Sequence, residues 1–444
     1  MRSAFALLLG LVAAGGELRG QTNLSVPSMP VIPSVPNGAG PPKKYMERFP
    51  EVASLEPAFS IPVSPMGFSI PGTSYLLRQQ QLVSLDFIDE KRLLFSFHVA
   101  SGLQERSADE DQEREQRIHA TVVDIASGKA GPEAEWNIAD RRRYLWMLNN
   151  GHFLVRTADG LNEGDAELKM KEYLRWPGRL MWIEMDPEQQ YIVANSVEAG
   201  SEESTTSTAS VAAVEKPVKN GKQAEAKSVL TIRTVRRETG EVVRTTKAPW
   251  TSQTSDWPMN SQGYVERLHE KKGMHWRLNV VPYGGNKGWA LGEADSTCPP
   301  QYSFVTDTVL LISRCDPQEG WRLKASKTVG LATLWETTIG SNTMWPLVVT
   351  ARNGLRVARE TLVLKRSAEK YTDGVRIDDV QGQMVRVFDA ETGKVVMEAT
   401  VAPIYDGGGN VAISPSGRRV AILKGNAIQV YELPAPTVSA GEHK

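Results

Sequence analysis

Apolar and polar positions alternate along most of the chain with a period of two, the spacing of a β-strand buried on one face. The pattern is clearest near the C-terminus. Residues 384–389 (MVRVFD), 394–401 (KVVMEATV), 410–414 (NVAIS), 419–423 (RVAIL) and 427–433 (AIQVYEL) read as strands. Between them stand the turns 390–393 (AETG), 415–417 (PSG) and 425–426 (GN), each with a glycine where a positive φ is expected. Amphipathic helices of about ten residues or more are absent from the pattern. The chain is expected to be all-β.

Two units recur. The turns at 123–129 (VDIASGK), 235–241 (VRRETGE) and 388–394 (FDAETGK) look like one hairpin used three times. The separations of their glycines, Gly128, Gly240 and Gly393, fit two and three repeats of roughly 50 residues, allowing for insertions. A strand–turn–strand unit appears at Val83–Phe97, Tyr144–Val155, Trp182–Ala194, Tyr302–Arg314, Leu347–Ala358 and Val411–Leu423, with a degenerate copy at Trp257–Val281. Narrow strips of alternating residues cannot bury a face alone. Stacked around an axis they shield one another. The expected architecture is a single β-propeller of about seven four-stranded antiparallel blades, with six or eight as alternatives. The last unit supplies only three strands before Pro434, so its fourth must come from the N-terminal side. Thr73–Gln80 is the expected closing strand, and ring closure would remove an exposed edge.

The segments ISPSGRRVAI and FDAETGKVV within 384–433 resemble the blades of WD40-like and YVTN-like β-propeller repeat proteins. The Trp-Asp ending and Gly-His opening of strict WD40 repeats are missing. The resemblance implies a fold, and a fold does not fix a function.

Flanking segments set the expected boundaries. Residues 1–20 read as a secretory signal: Arg2, then an apolar run from Ala4 to Ala14, too short for the roughly 20 residues that span a bilayer. Residues 21–58 form a Pro-rich linker and extension, 59–434 the propeller, and 435–444 a polar tail. Residues 200–227 (GSEESTTSTASVAAVEKPVKNGKQAEAK) are too poor in large apolar side chains to fold and are expected as a disordered insertion within one blade. The expected location is periplasmic or secreted, with no membrane span. In an oxidising compartment the two cysteines, Cys298 and Cys315, should bond. They are nearly equidistant from a turn at Thr306-Asp307, so a hairpin would set them opposite each other.

Charge adds little. The formal net charge is −1, which gives no general attraction to nucleic acid or anionic lipid. Among His98, His119, His152, His269, His275 and His443 no HExxH arrangement occurs, and no metal or cofactor is expected. Nucleophile-elbow and phosphate-loop motifs are missing, and Gly407–Gly409 precede a strand instead of a helix. The 11 tryptophans are the most suggestive feature. Trp146, Trp182, Trp257 and Trp345 stand at or just before expected innermost strands, and Trp-Pro recurs at 176–177, 257–258 and 345–346. Aromatics at a channel mouth offer a stacking surface for a sugar or peptide side chain; the alternative is that they fill gaps between blades. The expected function is a non-enzymatic, monomeric binding or scaffold module for a protein or glycan. The alternative is a propeller enzyme, such as a hydrolase, lactonase or quinoprotein-like oxidoreductase, with ionisable residues from several blades converging in an axial site.

Overall fold

The computed structural model describes residues 55–436, except 79, 100–115, 139–141, 198–228, 250–257, 270–273, 285–286, 317–319 and 368–373. The signal, most of the linker, the 200–227 insertion and the end of the tail, where expectations were stated, lie outside the described residues.

Seven antiparallel sheets follow one another along the chain as seven blades. Blade 1 comprises Val83–Phe87, Arg92–His98, Gln116–Asp124 and Ala130–Ile138. Blade 2 comprises Leu145–Met147, Phe153–Arg156, Gly160–Gly164 and Met170–Arg175. Blade 3 runs through Arg179–Met185, Tyr191–Val197, Val229–Arg236 and Glu241–Pro249. Blade 4 has Gly263–His269, His275–Pro282 and Trp289–Asp295. Blade 5 has Gln301–Thr306, Val309–Asp316, Gly320–Lys327 and Thr333–Gly340, and blade 6 has Thr343–Thr350, Arg356–Leu364, Val380–Asp389 and Val395–Val401. Blade 7 has Val411–Ile413, Arg419–Lys424 and Ala427–Glu432. The first strands of blades 1, 2, 6 and 7 meet around the axis, so the first strand of each blade is innermost. The fold is a seven-bladed β-propeller, as the resemblance implied.

Each seam between blades is a separate apolar cluster. Ile88, Leu94 and Ile118 of blade 1 pack on Tyr144, Leu145 and Phe153 of blade 2. Ala358, Val385 and Val387 of blade 6 pack on Val411, Val420 and Ile422 of blade 7. At about 1.5–3 kcal/mol for each fully buried aliphatic side chain, these seams hold the ring together.

The recurring hairpin falls in blades 1, 3 and 6, which gives the spacing of two and three repeats. Gly128, Gly240 and Gly393 have φ of 66°, 69° and 70°. Each donates its N–H to the carbonyl four residues back, at 2.8–2.9 Å. In two of the three the aspartate at that position also caps the turn. Asp124 accepts from Ser127 N and Oγ, and Asp389 from Thr392 N and Oγ1. Arg236 replaces it in the third.

Ring closure differs from expectation in one respect. The fourth strand of blade 7 is Phe59–Pro62, paired Phe59↔Val430 and Ile61↔Ile428, and not Thr73–Gln80. Phe59 and Ile61 alternate with Ser60 and Pro62, as a one-sided edge strand requires, and proline is tolerated on an outer edge. Residues 73–80 (TSYLLRQQ) lack that alternation. Thr73–Tyr75 instead form one 3₁₀ turn, and the Tyr75 hydroxyl donates to the Ile404 carbonyl, guiding the chain across the ring to blade 1.

Blade 4 explains its degenerate sequence. Among the described residues its innermost strand is seen as a bridge between Met259 and Tyr264 around the turn 260–263, with 250–257 outside the described residues. Val265 N donates to the Pro258 carbonyl, and Asn260 N to that of Gly263. The disulfide between Cys298 and Cys315 is present, with Cα atoms 5.5 Å apart. Pro299 and Pro300 do not disturb it, because Thr297 N donates to the Cys315 carbonyl just beside them.

Candidate functional site at the turn face

Strands in a blade run alternately up and down, so the turns joining first to second and third to fourth strands share one end of the ring. Side-chain bonds join several neighbouring inner turns around the channel mouth. Ser416 N donates to Glu90 Oε1, joining blades 7 and 1. Asn353 Nδ2 donates to the Ser416 carbonyl, joining blades 6 and 7. Gln189 Nε2 donates to the Met147 carbonyl while its Oε1 accepts from Asn149 N, joining blades 3 and 2. Ser261 N and Oγ donate to the Asp307 carboxylate, joining blades 4 and 5.

Arg352 is the longest strut. It leaves the inner turn of blade 6 and donates to the carbonyls of Leu148 in blade 2 (2.9 Å) and of Phe87 and Ile88 in blade 1. It thus crosses the mouth above blade 7. Burial lowers its pKa; Asp86, Glu90 and Asp89 oppose that shift.

Asp86, on the innermost strand of blade 1, accepts from Ser84 Oγ at 2.8 Å. Desolvation pushes its pKa up to about 6, against the pull of the Ser84 bond, Arg143 and Arg352. Ionisable groups from three blades therefore converge near the axis. A depression of about 580 Å³ opens beside Arg352, lined among others by Glu90, Asn150, His152, Asp165 and Glu167. His152 Nδ1 lies 2.8 Å from Glu163 Oε1.

The tryptophans separate by position. Trp146, on the innermost strand of blade 2, is 4% exposed and packed among Leu154, Trp176 and Leu180 in the seam with blade 3. The Arg143 guanidinium lies over its ring at 5.3 Å. Trp182 is half-buried against the Met181, Val193 and Tyr264 cluster, beside a bulge in the innermost strand of blade 3. Trp345 falls within the bulge between Met344 and Leu347 on the innermost strand of blade 6. Bulges re-aim side chains and gather beside functional sites. Trp257 lies outside the described residues. His269 stacks on Trp276 at 4.4 Å, while His275 sits between Asp295 and Glu293, so the two histidines do not converge.

Arg352, Asp186 and Asp307 escaped sequence reasoning, which treated their segments only as turns. The usable signal was a charged residue in the inner turn of several repeats.

No family model matches this sequence, and no curated protein does. Solved structures do. Two structures of Pyrococcus horikoshii acylaminoacyl peptidase are 13% and 10% identical, with TM-scores of 0.44 and 0.45. Each match covers 81% of this chain and 52% of that one, so the chain spans about half the length of those proteins. A complex of KlAtg21 with the coiled-coil of AgAtg16 is 13% identical, with a TM-score of 0.39, over 66% of this chain and 81% of that one. These likenesses assign nothing to this chain. The class is a seven-bladed β-propeller with a polar, strutted turn face.

Proposed function

We propose that this protein is an exported, non-enzymatic binding or scaffold module whose protein or glycan ligand docks on the turn face. The depression beside Arg352 carries this reading. It is open, lined largely by charged and amide side chains, and built from the inner turns of blades 1, 2, 6 and 7 together with the outer turn of blade 2. The disulfide supports an oxidising compartment, and no helix among the described residues is long and apolar enough to cross a membrane. Half-buried Trp182 is the aromatic partner proposed for a glycan, whereas Trp146 is buried in the seam between blades 2 and 3.

The convergence of Asp86, Arg143 and Arg352 from three blades favours a second reading, an axial active site. Arg352 is already spent on three carbonyls and Asp86 on Ser84, so we read this group as closure of the mouth. The test is site-specific photo-crosslinking in the native host. p-Benzoylphenylalanine placed at Asn150 or Glu167, on the turn face, should trap a ligand. The same probe at Lys365, on the opposite face, should not. Equal trapping from both faces, or trapping from Lys365 alone, refutes the assignment.

A further inference from the structure

The depression beside Arg352 has a definite sign of charge. Four carboxylates line it: Asp89 and Glu90 from the inner turn of blade 1, and Asp165 and Glu167 from the outer turn of blade 2. The two arginines that also line it are engaged. Arg92 gives its Nε and Nη2 to Asp89 at 2.9 and 2.8 Å. Arg352 is spent on the carbonyls of Leu148, Phe87 and Ile88. His152 turns its Nδ1 to Glu163 at 2.8 Å, so it brings an acid of its own.

Three of the four acids keep acceptor oxygens to spare. Glu90 uses Oε1 alone, which accepts from Ser416 N at 2.7 Å. Asp165 uses Oδ1 alone, which accepts from the N–H groups of Glu167 and Lys169 at 2.9 and 3.0 Å. These bonds, that from Lys169 foremost, hold its carboxyl below the usual carboxylate range, so it stays ionised at neutral pH. Glu167 is exposed and bonds to nothing among the described residues.

At about 580 Å³ the depression has the size of a ligand pocket. A concave wall of one charge sign, with its own cations already bonded, favours a ligand that carries positive charge and hydrogen-bond donors. Among the described residues no three acids or histidines converge closely enough to hold a metal ion. The free oxygens are spread over two blades, which suits an extended organic cation. Among the described residues no Trp, Tyr or Phe lines the depression, so it lacks the aromatic face on which a sugar stacks. Half-buried Ala166 and Pro415 supply apolar wall instead. The methylene stem of a lysine or arginine can lie against such a wall while its head meets the carboxylates.

We propose that this depression receives a basic segment of a partner protein, whose lysine or arginine side chains bond to the free carboxylate oxygens of Glu90, Asp165 and Glu167. The inference rests on the docking reading of the turn face and adds to it the class and charge of the partner.

The test titrates the full chain with a fluorescein-labelled glycine peptide carrying two arginines, and with the same peptide carrying citrulline, which keeps the shape and drops the charge. Fluorescence anisotropy should show saturable binding of the arginine peptide that falls off with added salt, and binding of the citrulline peptide weaker by roughly tenfold or more. E90Q retains an acceptor for Ser416 N, so E90Q/E167Q removes two charges and leaves that bond in place. It should weaken the arginine peptide by roughly tenfold. E238Q, at an exposed acid in the outer turn of blade 3, should change it by no more than about twofold. Wild-type protein that binds both peptides alike, or neither, overturns the proposal, whatever the variants do. An equal loss in E238Q and E90Q/E167Q overturns it too, as does binding of a glucosamine oligomer in preference to the peptide. If the probe at Asn150 traps a ligand while the arginine peptide fails to bind, the docking reading stands and this inference alone falls; if both fail, both fall.

Discussion

Substituting Glu360 by glutamine should stabilise the protein, and the gain should grow with pH. Glu360 lies on the second strand of blade 6 and is 1% exposed in the seam with blade 7. Its Oε2 accepts from Gln383 Nε2 at 3.0 Å. Gln383 is held in turn by the Tyr405 backbone and by Asn410. Burial without a compensating cation raises the carboxyl pKa from 4.5 to about 8. The folded protein therefore keeps the proton to about pH 8, while the unfolded chain releases it from about pH 4.5. A raised acid pKa contributes stability below the unfolded value and loses it as pH climbs toward the folded value. The full loss is ~5 kcal/mol, of which ~3 kcal/mol is already gone at pH 7. Glutamine mimics the protonated acid: its carbonyl can accept from Gln383 and its amide replaces the O–H donor. Urea unfolding of wild-type and E360Q protein at pH 4.5, 6, 7 and 8, followed by tryptophan fluorescence, gives the difference directly, because all other titrating groups cancel. The variants should agree within ~1 kcal/mol at pH 4.5 and diverge steadily to pH 8. A difference that stays flat across this range would falsify the assignment of a neutral, buried Glu360.

Two further perturbations test the ring itself. Replacing Cys298 by serine should cost about 3 kcal/mol, as expected for opening a short loop, and wild-type protein melted under reductant should fall to the same melting temperature. Introducing aspartate at Ile61, in the closing strand, should cost ~3–5 kcal/mol by unsealing blade 7. Aspartate at half-buried Leu77, in the segment first expected to close the ring, should cost ~1 kcal/mol or less; the reverse ranking in chemical denaturation would reject the closure described here.

Most of the ring was legible because a propeller is built from local hairpins. Asp124 and Gly128, like Asp389 and Gly393, form their turn within five residues, so the sequence carries the whole motif. The inner hairpins were legible for the same reason, even in blade 4, where the described part of the innermost strand is the bridge at Met259. The closing strand was not, because Phe59–Pro62 is four residues long and its partner lies at Ala427–Glu432. The site was less legible still. Arg352 reaches Leu148, 204 residues away, and its role exists only once the ring brings blade 6 over blades 1 and 2. Glu360 reads in sequence as the polar member of an alternating strand. Only the stacking of blade 7 on that face turns it into a buried acid.

The same stacking explains where the turn face becomes concave. Wedge-shaped blades are narrowest at the axis, and inner strands of unequal length leave the rim uneven. Those of blades 2 and 7 have three residues each, against eight in blade 6. The depression with Arg352 lies beside blades 2 and 7. Where an inner strand is short, neighbouring turns lose an apolar wall and meet through polar side chains instead. Elsewhere on the inner strands and turns the ring also desolvates acids, which shifts Asp186 and Asp86 to about 6. The short inner strands of blades 2 and 7 thus account for the concavity beside Arg352, the feature on which the proposed docking depends.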